Sequence, residues 1–222
     1  AYLTGVAPPR IGVVLNVGSA HIGEFGSREA VAKAKGELVE ALPAGGTAVL
    51  NADDPMVRAM AARTAAGIVT YGRAPEAAVR AAGERLDDRG RPRFTLVTPE
   101  GSAPVALRLH GAHAVSNALA AAAAAREAGI PLPEIAGALS EATAVSRWRM
   151  EVTERGDGVT VVNDAYNANP ESVRAALDAL GAMTREAGRA FAVLGAMAEL
   201  GAASETEHER IGEHAARSGV SG

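Results

Sequence analysis

Short apolar, β-branched runs alternate with stretches of helical periodicity along most of this chain, and that alternation leaves few architectures open. "IGVVLNV", Ile11 to Val17, is apolar along nearly its whole length, as a strand buried on both faces must be. A helix is expected from Arg28 to Leu42 with Ser27 as its N-cap, then a strand at "TAVLN", a helix from Pro55 to Thr64 and a strand at "GIVTYG". Such a series specifies an α/β fold built on a mostly parallel sheet. Between Ala77 and Leu109 the pattern changes: "FTLVT" and "VALRL" follow the turn-rich "DDRGRPR", which predicts a small antiparallel meander attached to that sheet. An alanine-rich helix is expected over Ala114 to Ala128, and a second from Pro133. After Ala144 the series restarts, with strands at "RWRMEVTE", "VTVVND" and "AFAVLG" and a helix from Pro170. A last helix starts at Glu205, where Ser204 and Glu207 have capping-box spacing. The restart places a domain boundary near residue 145, dividing 1–145 from 146–222.

Composition removes several classes of function. The 222 residues are 48% hydrophobic with a net charge of -4, enough for a sizeable core. The absence of cysteine excludes a disulfide scaffold, a thiolate metal site and a cysteine nucleophile, and agrees with a reducing cytoplasm, the expected location. The longest apolar run, "ALAAAAAA" from Ala118 to Ala125, falls far short of the roughly 20 residues that cross a bilayer, so no membrane partner is expected. Scattered Arg and Lys with three Phe, three Tyr and one Trp form neither a basic stripe nor a stacking platform, so no nucleic acid is expected either. A monomer is expected. The chain opens on Ala1 and closes on "SGVSG", where a strand would begin at Val220, and is expected to be a fragment.

Ligands of open parallel sheets collect at the carboxyl ends of strands. Four such segments, "NVGSAH", "NADDP", "NDAYNANP" and "LGAMAELG", are rich in Asn, Asp, His, Glu or Gly and predict a shared cleft. The helix "AKAKGELVEAL" adds an oddity. Lys33 lies on its outward face, spaced for ion pairs with Glu37 and Glu40, but Lys35 falls inside the arc of Val31, Ala34, Leu38, Val39 and Leu42. An inward lysine can snorkel outward, pair with a buried carboxylate, or lose its charge through a pKa shift or covalent change. His21, in the turn leading into this helix, makes a metal or phosphate site the candidate.

Taken together, "NVGSAHIGEFGS", "AKAKGE", "NADDP", "GAHAVSNALAA", "NDAYNANPES" and "LGAMAELG" with a later His resemble the Mur ligases of peptidoglycan synthesis, over essentially the whole chain. "DAYNANP" with the later "ELG" is specific for the members that add D-alanyl-D-alanine to a UDP-N-acetylmuramoyl tripeptide. The resemblance implies a three-domain ligase, of which this chain holds the remainder of the central ATPase domain and a truncated Rossmann-like C-terminal domain. It implies that ATP phosphorylates the substrate carboxylate, that the dipeptide amine attacks the acyl phosphate, and that Mg2+ supports both steps.

By the same resemblance Lys35 is carbamylated and, with His21, helps hold magnesium, turning a positive charge into oxygen ligands for a hard cation. Asn51 and Asp54 are implied near the nucleotide, Asn117 near the adenine, and His113, four residues earlier, in the same groove; helix N-terminal capping is the alternative for the last two. Asp164, Tyr166, Asn167 and Asn169 correspond to a loop contacting ATP and the dipeptide, although Asn169 before Pro170 also fits an N-cap. Glu199 and His208 match positions near the same cleft, His208 being equally readable as a solvated helix residue. Arg149 matches an arginine at the start of the domain, with Arg147 as the alternative register.

Two departures stand out. No G-x-x-G-K-[ST] phosphate loop is present in these residues, and in the family that loop precedes the stretch seen here, as the UDP-binding domain does. Ala196 stands where many relatives carry an acidic residue. This stretch alone is therefore expected not to catalyse ligation. The competing readings are a sibling Mur or folylpolyglutamate-type ligase and a non-catalytic nucleotide-binding module.

Overall fold

Strands β1 (Ile11–Val14), β2 (Thr47–Asn51) and β3 (Gly67–Gly72) lie side by side in parallel in a computed structural model that describes residues 2–18, 22–184 and 188–221. β4 (Val79–Leu86) joins β3 in parallel through only two residue pairs, Tyr71 with Val79 and Gly72 with Arg80. So short an overlap lets residues 73–78 make the connection, where a full parallel crossover takes about a dozen or more residues. β5 (Pro92–Thr98) and β6 (Gly101–Ala106) then continue antiparallel, and the six strands stand in sequence order. The mostly parallel sheet with an attached meander is thus present. The meander has one strand more than its sequence displays, because "VRAAGERL" carries charges and a glycine and is held as a strand by its neighbours. Its last strand ends at Ala106, short of the expected "VALRL".

Helices cover both faces of this sheet. α3 (Arg28–Glu40) is capped by the Ser27 side chain, and α4 (Pro55–Arg58) continues into a 3₁₀ turn, Ala59–Arg63. Val31, Val39, Leu42, Val57 and Met60 pack there with Ala48 and Leu50 of β2. On the opposite face α5 (His113–Glu127) and α6 (Leu132–Glu141) bury Val115, Leu119 and Ile135 in one cluster with Val49 and Tyr71. Ala48 and Leu50 on one side with Val49 on the other is the period of two that a strand buried on both faces requires. Ala118, Ala120, Ala122 and Ala123 are all buried, so the alanine-rich composition of α5 lets the helix lie close against the sheet. Two short helices, α1 (Tyr2–Val6) and α2 (Ile22–Phe25), had no periodicity to announce them.

The second part is smaller. β7 (Glu151–Glu154) and β8 (Thr160–Asn163) form an antiparallel pair, and α7 (Pro170–Thr184) packs on α8 (Ser204–Arg217) around Leu177, Met197, Leu200 and Ile211. Here two expectations fail. "AFAVLG" does not form a strand, and Ala190 alone bridges to Val220. Phe191, Val193 and Leu194 are exposed, with no ladder partner among the described residues. Ser204 does not cap α8 either. A 3₁₀ turn, Gly201–Ala203, runs straight into the helix, and Ser204 at φ -54, ψ -54 cannot adopt the extended conformation an N-cap needs. Glu207 instead pairs with Arg174 at 2.8 Å and Arg210 at 2.5 Å. Among the described residues no helix is long and apolar enough to cross a membrane.

Candidate active site

The chain leaving β1 is tied down by side chains from its neighbours. The Leu15 carbonyl accepts from Asn51 Nδ2 at 2.8 Å and from the Tyr71 hydroxyl at 3.4 Å, which also lies 3.2 Å from the Val14 carbonyl. Burial, with Asp53 and Asp54 nearby, pushes the Tyr71 phenol up, so it stays a donor. Asp54 accepts from the Val17 amide through Oδ2 at 2.7 Å, while its Oδ1 caps α4 at the Met56 and Val57 amides. Arg28 donates to the Val17 carbonyl at 2.7 Å. These bonds explain why β1 ends at Val14 rather than Val17. They also show that Asn51 and Asp54 are committed to joining strand ends.

Lys35 completes the set and decides among the three options its inward position left open. Its side chain is exposed, and Nζ donates to the Asn16 carbonyl at 2.7 Å. The residue does lie on the arc of Val31 and Val39, but its ammonium reaches past the last residue of β1, where solvent is available. It takes the first of the three options, snorkelling. The buried place on the helix goes instead to Gly36, over which the Arg63 guanidinium lies, bonded to the Ala32 and Lys33 carbonyls and to Glu40. His21 lies outside the described residues. Among those described, no group of three or more His, Asp or Glu side chains could hold a metal ion, and a lysine ammonium offers no lone pair to a cation. These residues do not by themselves fit magnesium.

His113 opens α5, and Asn117 stands exposed one turn later. The N-cap, Ala112, makes no side-chain bond, so neither residue caps the helix. Among the described residues His113 Nδ1 is buried without a hydrogen-bond partner; Gly111 lies against it, and Ala179 of α7 lies against Gly111. Burial holds the imidazole below its ordinary pKa, and the Asp164 carboxylate opposes that shift. Arg73 anchors the start of α5 by bonding the Ala112 carbonyl and Ser116 while its other edge grips Glu84.

In the second part the loop after β8 folds back on the start of β7. Trp148 and Met150 adopt left-handed φ values of 62° and 46°. Asp164 accepts from the Met150 amide at 2.8 Å, and the Tyr166 amide donates to the Trp148 carbonyl at 3.1 Å. This places the Arg149 guanidinium 4.0 Å from the centre of the Tyr166 ring, a cation–π pair. Asn167 accepts from the Ala168 amide. Asn169 and Ser172 cap each other's backbone amides at 2.9 and 3.1 Å, so Asn169 is the N-cap of α7. His208 is not a solvated helix residue. Its Nδ1 lies 2.7 Å from the Ser204 carbonyl, which makes Nδ1 the donor, and Nε2 accepts from the Met197 amide at 3.0 Å. Glu199, at a left-handed φ of 62°, presents its carbonyl to the Gly23 amide at 2.8 Å.

A cavity of about 1480 Å³ is lined by Asp164, Asn167 and His208 together with Arg91 and His110 of the first part; Lys35, Asn51, Asp54, His113 and Asn117 do not line it, and neither do Arg149, Tyr166, Asn169 and Glu199. The candidate residues thus fall into one group at the exit of β1 and another around the loop after β8. Their loops approach each other at Gly18, where an added Cβ would stand 3.5 Å from the Glu171 carboxylate. Arg28, Tyr71 and Arg73 escaped the sequence reading. Only Tyr71, a lone phenol at a buried strand's end, carried a signal.

Residues 1–125 match the family model of the Mur ligase middle domain, and residues 148–221 match that of the Mur ligase, glutamate ligase domain. The chain belongs to the Mur ligase family. Within it, the UDP-N-acetylmuramoyl-tripeptide–D-alanyl-D-alanine ligase of Mycobacterium tuberculosis (strain ATCC 25618 / H37Rv) is 54% identical over 224 residues, covering 100% of this chain and 44% of that protein. The crystal structure of MurF from Acinetobacter baumannii is similar with a TM-score of 0.89 at 32% identity, over 97% of this chain and 46% of that one. MurF ligase from Thermotoga maritima, in complex with ADP, gives 0.84 at 30% identity, over 96% and 48%. The chain spans about half the length of the relatives it matches.

Proposed function

We propose that this chain is the middle and C-terminal share of an ATP-dependent ligase that joins D-alanyl-D-alanine to a UDP-N-acetylmuramoyl tripeptide. The observation that carries the reading is the 54% identity over the whole chain to a ligase of that name. The boundary after residue 145 falls between the two matched stretches, which supports it. We place the ligase in the cytoplasm as a monomer, in keeping with a chain that contains no cysteine.

The roles divide between the two groups. Tyr166, Arg149 and Asn167 offer an exposed aromatic face, a guanidinium and an amide to the dipeptide, with Glu199 near the same cleft by resemblance and His208 holding its neighbouring segment through Met197. Asp164 orders that loop through Met150 and faces His113, while Asn117 stands towards the nucleotide. Asn51, Asp54 and Asn169 act by fixing backbone. Lys35 and His21 are the proposed magnesium site. Carbamylation of Lys35 would replace an ammonium that repels magnesium by oxygens that suit it, and the bound ion would offset the charge of phosphate oxygens.

Phosphate release from ATP by the longer protein that contains this chain, with the UDP-muramoyl tripeptide present, tests the reading. Release is expected to depend on D-alanyl-D-alanine. Equal release with L-glutamate in its place would favour the sibling ligase. For the carbamate, ¹³C-bicarbonate labelling is expected to give a carbamate resonance that Lys35→Arg lacks.

A further inference from the structure

At several places the second part packs directly against a glycine of the first. A Cβ at Gly90 would stand 2.9 Å from Met183 Cγ, and one at Gly111 would stand 3.2 Å from Ala179 Cβ. Those neighbours are side chains. At Gly23 they are backbone: an added Cβ would lie 2.7 Å from the Glu199 oxygen and 2.9 Å from the Gly201 nitrogen, and neither can swing aside.

The same point carries the one backbone–backbone hydrogen bond that crosses between the two parts among the described residues, from the Gly23 amide to the Glu199 carbonyl at 2.8 Å. Gly23 lies in the first turn of α2, whose amides have no intrahelical acceptor, so Glu199 satisfies a donor that would otherwise need water. On the other side Glu199 holds a φ of 62°, a left-handed conformation uncommon for a residue with a Cβ, and Gly201 follows at 56°. Such backbone persists where its surroundings over-determine it. Here it turns the Glu199 carbonyl onto α2.

We propose that the Gly23 amide and the Glu199 carbonyl form a latch that sets how the second part sits on the first, which makes both positioning residues for a site assembled from the two parts. Only the catalytic consequence rests on the ligase reading.

This chain contains no cysteine, so spin labels at Glu76→Cys and Glu209→Cys, one exposed position in each part, report the spacing. The parent is expected to give one narrow distance distribution. Gly23→Ala, whose Cβ meets fixed backbone while α2 itself tolerates alanine, is expected to broaden or shift it. Glu199→Gly keeps the carbonyl and suits the left-handed turn, and is expected to retain the parent distribution. An unchanged distribution in Gly23→Ala overturns the latch, and so does broadening in both variants, because the carboxylate rather than the carbonyl would then be responsible. Hydrogen exchange on the parent needs no variant: the Gly23 amide is expected to exchange about tenfold more slowly than in an unstructured peptide of the same sequence, the factor that a hydrogen bond of ordinary net strength represents. Equal exchange overturns the proposal. Neither readout involves ATP or peptide, so failure here leaves the ligase reading standing, and a failed ligase assay leaves the latch standing.

Discussion

At the end of β1, side chains from α3, β2, β3 and the cap of α4 converge on the backbone of residues 14–17. At the end of β8, the loop is bonded chiefly to its own neighbours, and Tyr166 remains 57% exposed beneath Arg149. Both regions are rich in Asn, Asp and Tyr, and both sit at the carboxyl end of a strand. What separates them is where the polar atoms are spent. In the roles we propose, Asn51 and Asp54, whose hydrogen-bonding capacity is largely met within the fold, are scaffold, whereas Tyr166 and Asn167 keep surface available for a ligand. Residue type and position therefore nominate a site, and the bonds already made decide which nominees can bind.

The contrast in packing gives the largest expected effect. Leu50, 1% exposed in β2 between β1 and β3, should lose about 3 kcal/mol on substitution to alanine, while Val193, fully exposed, should change by less than about 0.5 kcal/mol. Denaturant unfolding of the two variants checks this, and equal losses would erase the distinction between the regions. Next comes Asp54→Ala, which removes the cap of α4 and leaves the Val17 amide without its partner. A loss of about 2 kcal/mol is expected by the same measurement. Tyr71→Phe deletes only the hydroxyl at the β1 exit and should cost about 1 kcal/mol.

The smallest effect concerns pH. His113 is held below its ordinary value of 6.5 by burial, with Asp164 opposing, so as pH falls the unfolded chain takes up this proton before the folded one. Its contribution is complete above 6.5 and is lost as pH falls through 6.5 towards the lower folded value. Unfolding midpoints of His113→Gln across that interval should show a shallower acid-side slope than the parent.

Much of the first part was legible, because continuous apolar runs and a Ser27 cap are local signals. The strand "VRAAGERL" was not, since its pairing rather than its residues makes it one. The reverse held for "AFAVLG", which reads as a strand but finds no ladder among the described residues. At the site, Asn169 before Pro170 announced its capping role. The inward arc of Lys35 was visible on a helical wheel, yet a wheel does not know where the adjacent strand ends, and that decides whether the ammonium reaches solvent. The Arg149–Tyr166 pair depends on left-handed Trp148 and Met150, conformations that non-glycine residues do not advertise.

The division between scaffold and recognition meets its most direct test in the Michaelis constant for D-alanyl-D-alanine, the substrate we propose, measured in the longer protein that contains this chain and carries Tyr166→Ala. KM is expected to rise roughly tenfold, the factor that about 1.4 kcal/mol of lost contact represents, with the unfolding midpoint unmoved. An unchanged KM, or a rise matched by an equal loss of stability, would contradict the division.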